Sequence, residues 1–457
     1  MIATRRSVLM SSIAFCAAPF AARAQTQAAA SPVPAATAKA GSPDVVAGIP
    51  VNYDESQVGS YVLPDPLTAA DGSRITTARA WMSKRRPEIV KMFEEQQYGK
   101  APGKPADLAF DIQDKGTPAF DGRVIRKQVR ITFTKNKSGT RDKSGPSIQL
   151  LIYTPAVAKK PAPLLLVMGW GANGAAVNDP GVISNPVWNA KEKKRNPYVP
   201  GVGRTFGHVD VLPLIEAGLG VATFNYGDVD PDDLDAIQGG IRQLYLKPGA
   251  VLPASDEWGS IAAWGWGISR VIDYFETDKA VDSRRIAIHG VSRLGKTVMW
   301  AGAHDTRVAA TIASCSGEGG AAISRRNYGE TIAHLTAPTR YPYQFAANYA
   351  KWAGFPDKAP MDGNLLVALH APRPLLLQTG TTDNWSDPKG EFVAAVDAGR
   401  VYKLLGKQDL GTDIWPGANQ PILHDLGYVM HEGGHGTLPS DWPVYIDFLK
   451  MHLKPEA

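Results

Sequence analysis

Cysteine is nearly absent: the 457 residues contain two, Cys16 and Cys315. Cys16 falls in an N-terminal segment that reads as removable, so the remaining chain holds one thiol and no internal disulfide is possible. Stability must then come from a buried core. Long apolar runs are missing too. Val8 to Phe20 is too short, and too rich in alanine and serine, to anchor a chain in a membrane. No strong charge of one sign is present either. Removing residues 1–24 takes away three arginines and no acid, and the net charge falls from +5 to +2. A nearly balanced chain gives no electrostatic footprint for nucleic acid. No sequence repeat of fixed period is visible.

What is present suits a large globular enzyme. Hydrophobic residues make up 44% of the chain, enough for an extensive core. Residues 1–24 read as a signal peptide. Arg5 and Arg6 form a charged start, an apolar stretch follows, and Ala22-Arg23-Ala24 fits a cleavage site. The arginine pair also resembles a twin-arginine export signal, so a periplasmic or secreted protein is expected. Residues 25–50 are rich in Ala, Pro, Ser and Thr and read as a linker. Residues 51–457 read as one catalytic domain.

Within that domain, three alternating runs (Leu108 to Gln113, Val124 to Phe133, Ile148 to Tyr153) predict antiparallel strands at a sheet edge. Buried-type strands are expected over Leu164 to Met168, Leu219 to Asn225, Arg285 to His289, Val308 to Ala313 and Pro374 to Thr379. Helical stretches alternate with them, Ile261 to Phe275 being the most apolar. The pattern predicts a three-layer, doubly wound, mainly parallel α/β sheet. Residues 180–206, 230–256 and 320–364 read as insertions over it.

The most specific feature is Ile286-Ala-Ile-His-Gly-Val-Ser-Arg-Leu-Gly-Lys296. A strand ends at a glycine, a serine follows, and a helix begins. This is the layout of a nucleophile elbow, in which a sharp turn lifts the serine hydroxyl above the sheet. The second glycine of the usual G-x-S-x-G stands one place late, at Gly295, which puts Arg293 directly beside Ser292. The alternative reading of Ser292 is a helix cap. In α/β-hydrolases the acid and then the histidine follow the serine in the chain. Six histidines lie between Ser292 and His452: His304, His334, His370, His424, His431 and His435. His435 sits in a glycine-rich loop ahead of the last helix, where this fold supplies its base. His304 reads as a packing residue on the elbow helix.

The string His431-Glu-Gly-Gly-His435 matches the zinc-protease pattern H-E-x-x-H. That pattern works only on a helix, and two adjacent interior glycines cost a helix about 1 kcal/mol each. No metal is expected. Candidate acids are Glu318, Asp383 and Asp387. Asp383 follows the strand Pro374 to Thr379, and Asp387 precedes Pro388 as turn chemistry would.

Together, Gly290-Val-Ser-Arg-Leu-Gly-Lys296, Ser316-Gly-Glu-Gly-Gly-Ala-Ala322, Arg325-Arg-Asn-Tyr-Gly-Glu330, Asp383-Asn-Trp385 and Gly434-His-Gly436 resemble the bacterial glucuronoyl esterases of carbohydrate esterase family 15. Tyr226-Gly-Asp-Val-Asp-Pro231 and Trp264-Gly-Trp-Gly-Ile-Ser-Arg270 are similar to that family as well. The resemblance spans roughly residues 80–450. It implies an α/β-hydrolase fold and a serine esterase that cleaves esters of glucuronate on xylan without a cofactor. Its substrate is glucuronoxylan or a lignin–carbohydrate ester, and a monomer is expected. It implies Ser292 as nucleophile and His435 as base. Arg293 would serve in the oxyanion hole, and Lys296, Glu330 and Trp385 would hold the sugar. Lys296 lies four residues after Ser292, hence on the same helix face. The plainer readings are a surface ion pair for Lys296 and Glu330 and core packing for Trp385. Many family members carry a glutamate where this chain has Cys315. The acid is therefore expected at Asp383, with Glu318 as the fallback. Another carbohydrate esterase, such as a xylan deacetylase, and a non-catalytic sugar-binding relative stay open.

Overall fold

Alternation along the strands decides how the layers stack. In a computed structural model, which describes residues 44–133, 145–200, 207–235 and 237–455, nine strands form the main sheet. They are β1 (Ala109–Ala119), β2 (Val124–Thr132), β3 (Ser147–Pro155), β4 (Ala162–Gly169), β5 (Gly220–Asn225), β6 (Val281–Val291), β7 (Val308–Ser314), β8 (Leu375–Gly380) and β9 (Leu426–His431). Every residue of β4, β5, β8 and β9 is buried, as strands covered on both faces require. On β4, Leu164, Leu166 and Met168 join one hydrophobic cluster, while Leu165 and Val167 join another on the opposite face. The sheet is therefore the middle of three layers.

The spatial order is β9-β8-β7-β6-β4-β5-β3-β2-β1. The pairs β9/β8, β8/β7, β7/β6, β6/β4 and β4/β5 are parallel. The pairs β5/β3, β3/β2 and β2/β1 are antiparallel. This is the mainly parallel, α/β-hydrolase arrangement expected from sequence, with the antiparallel runs at one edge.

Helix α1 (Ser260–Phe275) and helix α2 (Arg293–His304) pack in the larger cluster, and α3 (Pro388–Leu404) adds Phe392, Ala395 and Val401 to it. Helix α4 (Asp441–Leu453) covers the other face through Tyr445, Phe448 and Leu449. Strand β9 and helix α3 were not anticipated. The stretch read as linker ends in a short hairpin, Val45–Val46 with Ile49–Pro50. The proposed signal peptide lies outside the described residues. Among the described residues, no helix is long and apolar enough to cross a membrane.

Candidate active site

Because β6 to β9 run parallel, their carboxyl ends lie along one edge, and Ser292, Cys315, Asp383 and His435 each follow one of those ends. Ser292 adopts φ 60° and ψ −127°, a region that non-glycine residues enter at a cost of about 1–3 kcal/mol. Its N–H donates to the Ser314 carbonyl of β7 at 2.8 Å, and its carbonyl accepts from Lys296 N–H at 3.0 Å. Two glycines make the turn possible. A Cβ on Gly290 would stand 2.3 Å from the Leu294 carbonyl oxygen, and one on Gly295 2.7 Å from that of Ser314. The displaced glycine thus lets α2 approach the end of β7. The orphan amides of the first turn of α2 begin beside Ser292.

His435 faces Asp383, with Nδ1 2.8 Å from Oδ2. Ser386 Oγ lies 3.2 Å from the same nitrogen. Asp383 is buried, with its side chain 3% exposed, while that of His435 is 37% exposed. The two loops are tied together: Thr382 N–H donates to the Gly433 carbonyl at 2.8 Å, and Gly433 N–H to Thr381 Oγ1 at 3.0 Å.

The other candidate acids have different partners. Glu318 accepts from Ser324 Oγ at 2.6 Å and Tyr349 O–H at 2.9 Å, and burial pushes its carboxyl up to about 8. Asp387 caps α3, accepting from Gly390 N–H at 3.0 Å and from Arg326 Nε at 2.8 Å, which is turn chemistry as expected. Cys315 is buried, and burial pushes its thiol well up, so it is uncharged at neutral pH. Its sulfur stands 3.5 Å from both the amide nitrogen and the carbonyl oxygen of Gly436.

The zinc pattern does not lie on a helix. His431 ends β9, and His435 is in the loop beyond it, so the two rings take different partners. The donor atoms of Cys315, Asp383 and His435 come within 4.8 Å of one another. The direct hydrogen bond between the last two makes this cluster an acid–imidazole pair beside a neutral thiol. His304 packs as expected, its ring 5.2 Å from that of Trp300, and at the half-exposed end of α2 its Nε2 also stands 3.1 Å from Glu94 Oε1.

Arg293 is not free to swing. Its guanidinium pairs with Asp232 and lies 4.5 Å from the Tyr341 ring centre and 5.6 Å from that of Trp170. Burial alone would lower its pKa, but the Asp232 charge together with Tyr226 and Tyr341 outweighs burial and raises it. Asp232 also accepts from Tyr226 O–H at 3.0 Å, Tyr343 O–H at 2.7 Å and Gln344 Nε2 at 2.7 Å. Lys296 and Glu330 are not a surface pair. Their side chains are 6% and 7% exposed, with Nζ 3.6 Å from Oε2. Glu330 also accepts from Arg340 Nη2 at 2.9 Å. Trp385 is half-buried, 5.2 Å from the Arg340 guanidinium and 5.3 Å from the His334 ring.

Sequence reasoning missed Asp232 and Arg340. Asp232 is the residue directly after the quoted Tyr226–Pro231 stretch. Arg340 stands beside Tyr341 in an insertion, and only the aromatic neighbour hinted at a lined cleft.

The strand order, the strained serine at the elbow and an Asp–His pair at the same edge define an α/β-hydrolase. A family model described as "Glucuronyl esterase, fungi" matches residues 182–406. A carbohydrate esterase, MZ0003, of unknown prokaryotic origin is 41% identical over 409 residues, covering 88% of this chain and 92% of its own length. A 4-O-methyl-glucuronoyl methylesterase of Wolfiporia cocos is 32% identical over 355 residues, covering 76% of this chain and 73% of its own length. A solved glucuronoyl esterase from Solibacter usitatus superposes with a TM-score of 0.82 at 39% identity, over 87% of this chain and 100% of that one. A structure described as a promiscuous esterase of carbohydrate esterase family 15, from a marine bacterial metagenome, gives 0.77 at 39% identity, over 88% and 100%. The chain belongs to carbohydrate esterase family 15, the glucuronoyl esterases.

Proposed function

We propose that this protein is an exported serine esterase that hydrolyses esters of glucuronate or 4-O-methyl-glucuronate, as found where glucuronoxylan is joined to lignin alcohols. The observation that carries the reading is the 2.8 Å Asp383–His435 contact at the sheet edge that also bears the strained Ser292. In this mechanism Ser292 Oγ attacks the ester carbonyl while His435 Nε2 takes its proton. Asp383 holds the Nδ1–H tautomer and stabilises the imidazolium. The developing oxyanion meets the Arg293 amide at the start of α2 and the Arg293 guanidinium. The alcohol leaves with the proton from His435, and water then cleaves the acyl-enzyme by the same route.

The sugar side follows from the chemistry of the neighbouring residues. Lys296 and Glu330 offer a donor and an acceptor to ring hydroxyls, and Trp385 offers an apolar face. Arg340 shares Glu330 with Lys296, so this pocket carries two cations against one carboxylate. No metal takes part. The sequence of residues 1–24 supports export to the periplasm or beyond. The experiment is hydrolysis of benzyl glucuronate beside acetylated xylan, both in EDTA. Turnover of the first and not the second supports the reading. Release of acetate alone replaces it with a deacetylase, and dependence on added zinc overturns the serine mechanism.

A further inference from the structure

His431 is left without a role once the zinc pattern is set aside, yet it is among the best-enclosed polar groups of the site. Its side chain is 2% exposed. Nδ1 stands 2.9 Å from Asp441 Oδ2, and Nε2 stands 2.9 Å from the Gly434 carbonyl oxygen. A carboxylate and a carbonyl only accept. Both bonds form together only when the ring carries both protons, so the arrangement selects the imidazolium.

The surroundings favour that charge. Asp441 on α4 and Asp383 in the loop after β8 both face the ring with negative charge. Gln378 on β8 is neutral; its Nε2, a donor to the Thr379 carbonyl at 2.8 Å, stands 3.0 Å from Nδ1, where it could donate only to an unprotonated nitrogen and so opposes the Nδ1 proton that Asp441 holds. Burial alone would drive the proton off, but the Asp441 hydrogen bond, the Gly434 carbonyl and the charges of Asp441 and Asp383 together outweigh it, and the pKa is raised above the usual 6.5.

Gly434 is the residue before His435. Its neighbour Gly433 is held by Thr381 and Thr382, and Gly436 is seated on Cys315. Asp441 also accepts from Leu438 N–H at 2.7 Å, so the His431–Asp441 pair closes the base of the loop 432–440.

We propose that His431 is a positioning residue for His435: as an imidazolium it bridges Asp441 to the Gly434 carbonyl and locks the loop that carries the base. The inference rests on the reading of His435 as general base. When the ring loses a proton, the remaining N–H stays with the Asp441 carboxylate. The Nε2 lone pair then faces the lone pairs of the Gly434 carbonyl, and the loop is released. Turnover falls at alkaline pH as a result.

The test is kcat and KM for benzyl glucuronate against pH for the full chain, H431Q and D441N. In the unaltered protein kcat falls on the alkaline side. D441N moves that fall to lower pH by about one unit or more, because the carboxylate no longer holds the proton. H431Q lowers neutral-pH kcat about tenfold or more, changes KM less than about twofold, and has no alkaline fall. A histidine that only fills space would leave the alkaline fall in place in both variants, and that result overturns the proposal. Nitrogen-15 spectra of the unaltered chain need no variant. They should show one imidazolium with both N–H protons protected from exchange, losing one as kcat falls. No such ring overturns the proposal. S292A and H435A in the same assay separate the two levels. Full activity in H435A refutes His435 as base and full activity in S292A refutes the serine mechanism it serves, whereas inactivity in both with silent H431Q and D441N refutes only the positioning role.

Discussion

A guanidinium beside a nucleophile is useful only if it is already in place when charge develops. Arg293 is held between two aromatic rings and tied to Asp232, whose oxygens take three further donors. On the proposed mechanism, R293A should lower kcat by roughly 10²–10³ with little change in KM. D232N, which keeps the shape and removes the anchor's charge, should lower kcat less, and should add nothing in the R293A background. A double variant much weaker than R293A would give Asp232 a separate role. The acid is tested in the same way. D383N should cost roughly 10²–10⁴ in kcat, while C315A should be nearly silent because the thiol carries no charge. An inactive but folded E318Q beside an active D383N would reverse the assignment. Ser292, Asp383 and His435 were legible because each sits in turn chemistry directly beyond a strand or ahead of a helix. Asp232 and Arg340 were not, because their partners Arg293, Glu330 and Gln344 stand some sixty, ten and over a hundred residues away, and spacing along the chain carries no record of such meetings.

At the scale of elements, the site depends on how closely neighbouring turns approach. A Cβ on Gly380, at the end of β8, would stand 2.3 Å from the Gly434 carbonyl oxygen. G380A should therefore displace the loop that carries His435. We expect kcat to fall at least about tenfold, with a stability loss of about 1–3 kcal/mol in denaturant melts. An unchanged kcat would mean that the loop adapts without moving the imidazole. The strands of the sheet centre were readable as short β-branched or leucine runs bounded by Gly and Pro. Strand β9 escaped because Gly427 interrupts a six-residue run that follows His424 and Asp425. It is a strand because β8 pairs with it along six registered positions, a tertiary effect that overrides weak propensity. Helix α3 escaped because its apolar residues begin as one unbroken run, Phe392-Val-Ala-Ala-Val396, which marks no clear stripe.

For the whole molecule, stability has a predictable pH dependence. Glu318 and Glu391 are fully buried, and burial pushes each carboxyl from the usual 4.5 up to about 8. Between those values the folded chain holds protons that the unfolded chain has lost. Their contribution is therefore complete below about pH 4.5 and is lost as pH rises through about 8. The Tm should fall between about pH 5 and about pH 9, and E318Q, which keeps acceptors for Ser324 and Tyr349, should flatten that slope. A Tm slope unchanged in E318Q would place the proton elsewhere. Among the described residues, one buried thiol and no disulfide leave the two-faced core as the source of stability. The fold and family set the class of chemistry, and the edge residues decide whether this chain performs it. The most direct test is the rate of benzyl glucuronate hydrolysis in EDTA by the chain from residue 44 onward and by its S292A variant. The account predicts chelator-resistant turnover that drops by on the order of 10⁴ or more in S292A. Turnover that survives in a folded S292A, or that disappears in EDTA and returns with zinc, would contradict it.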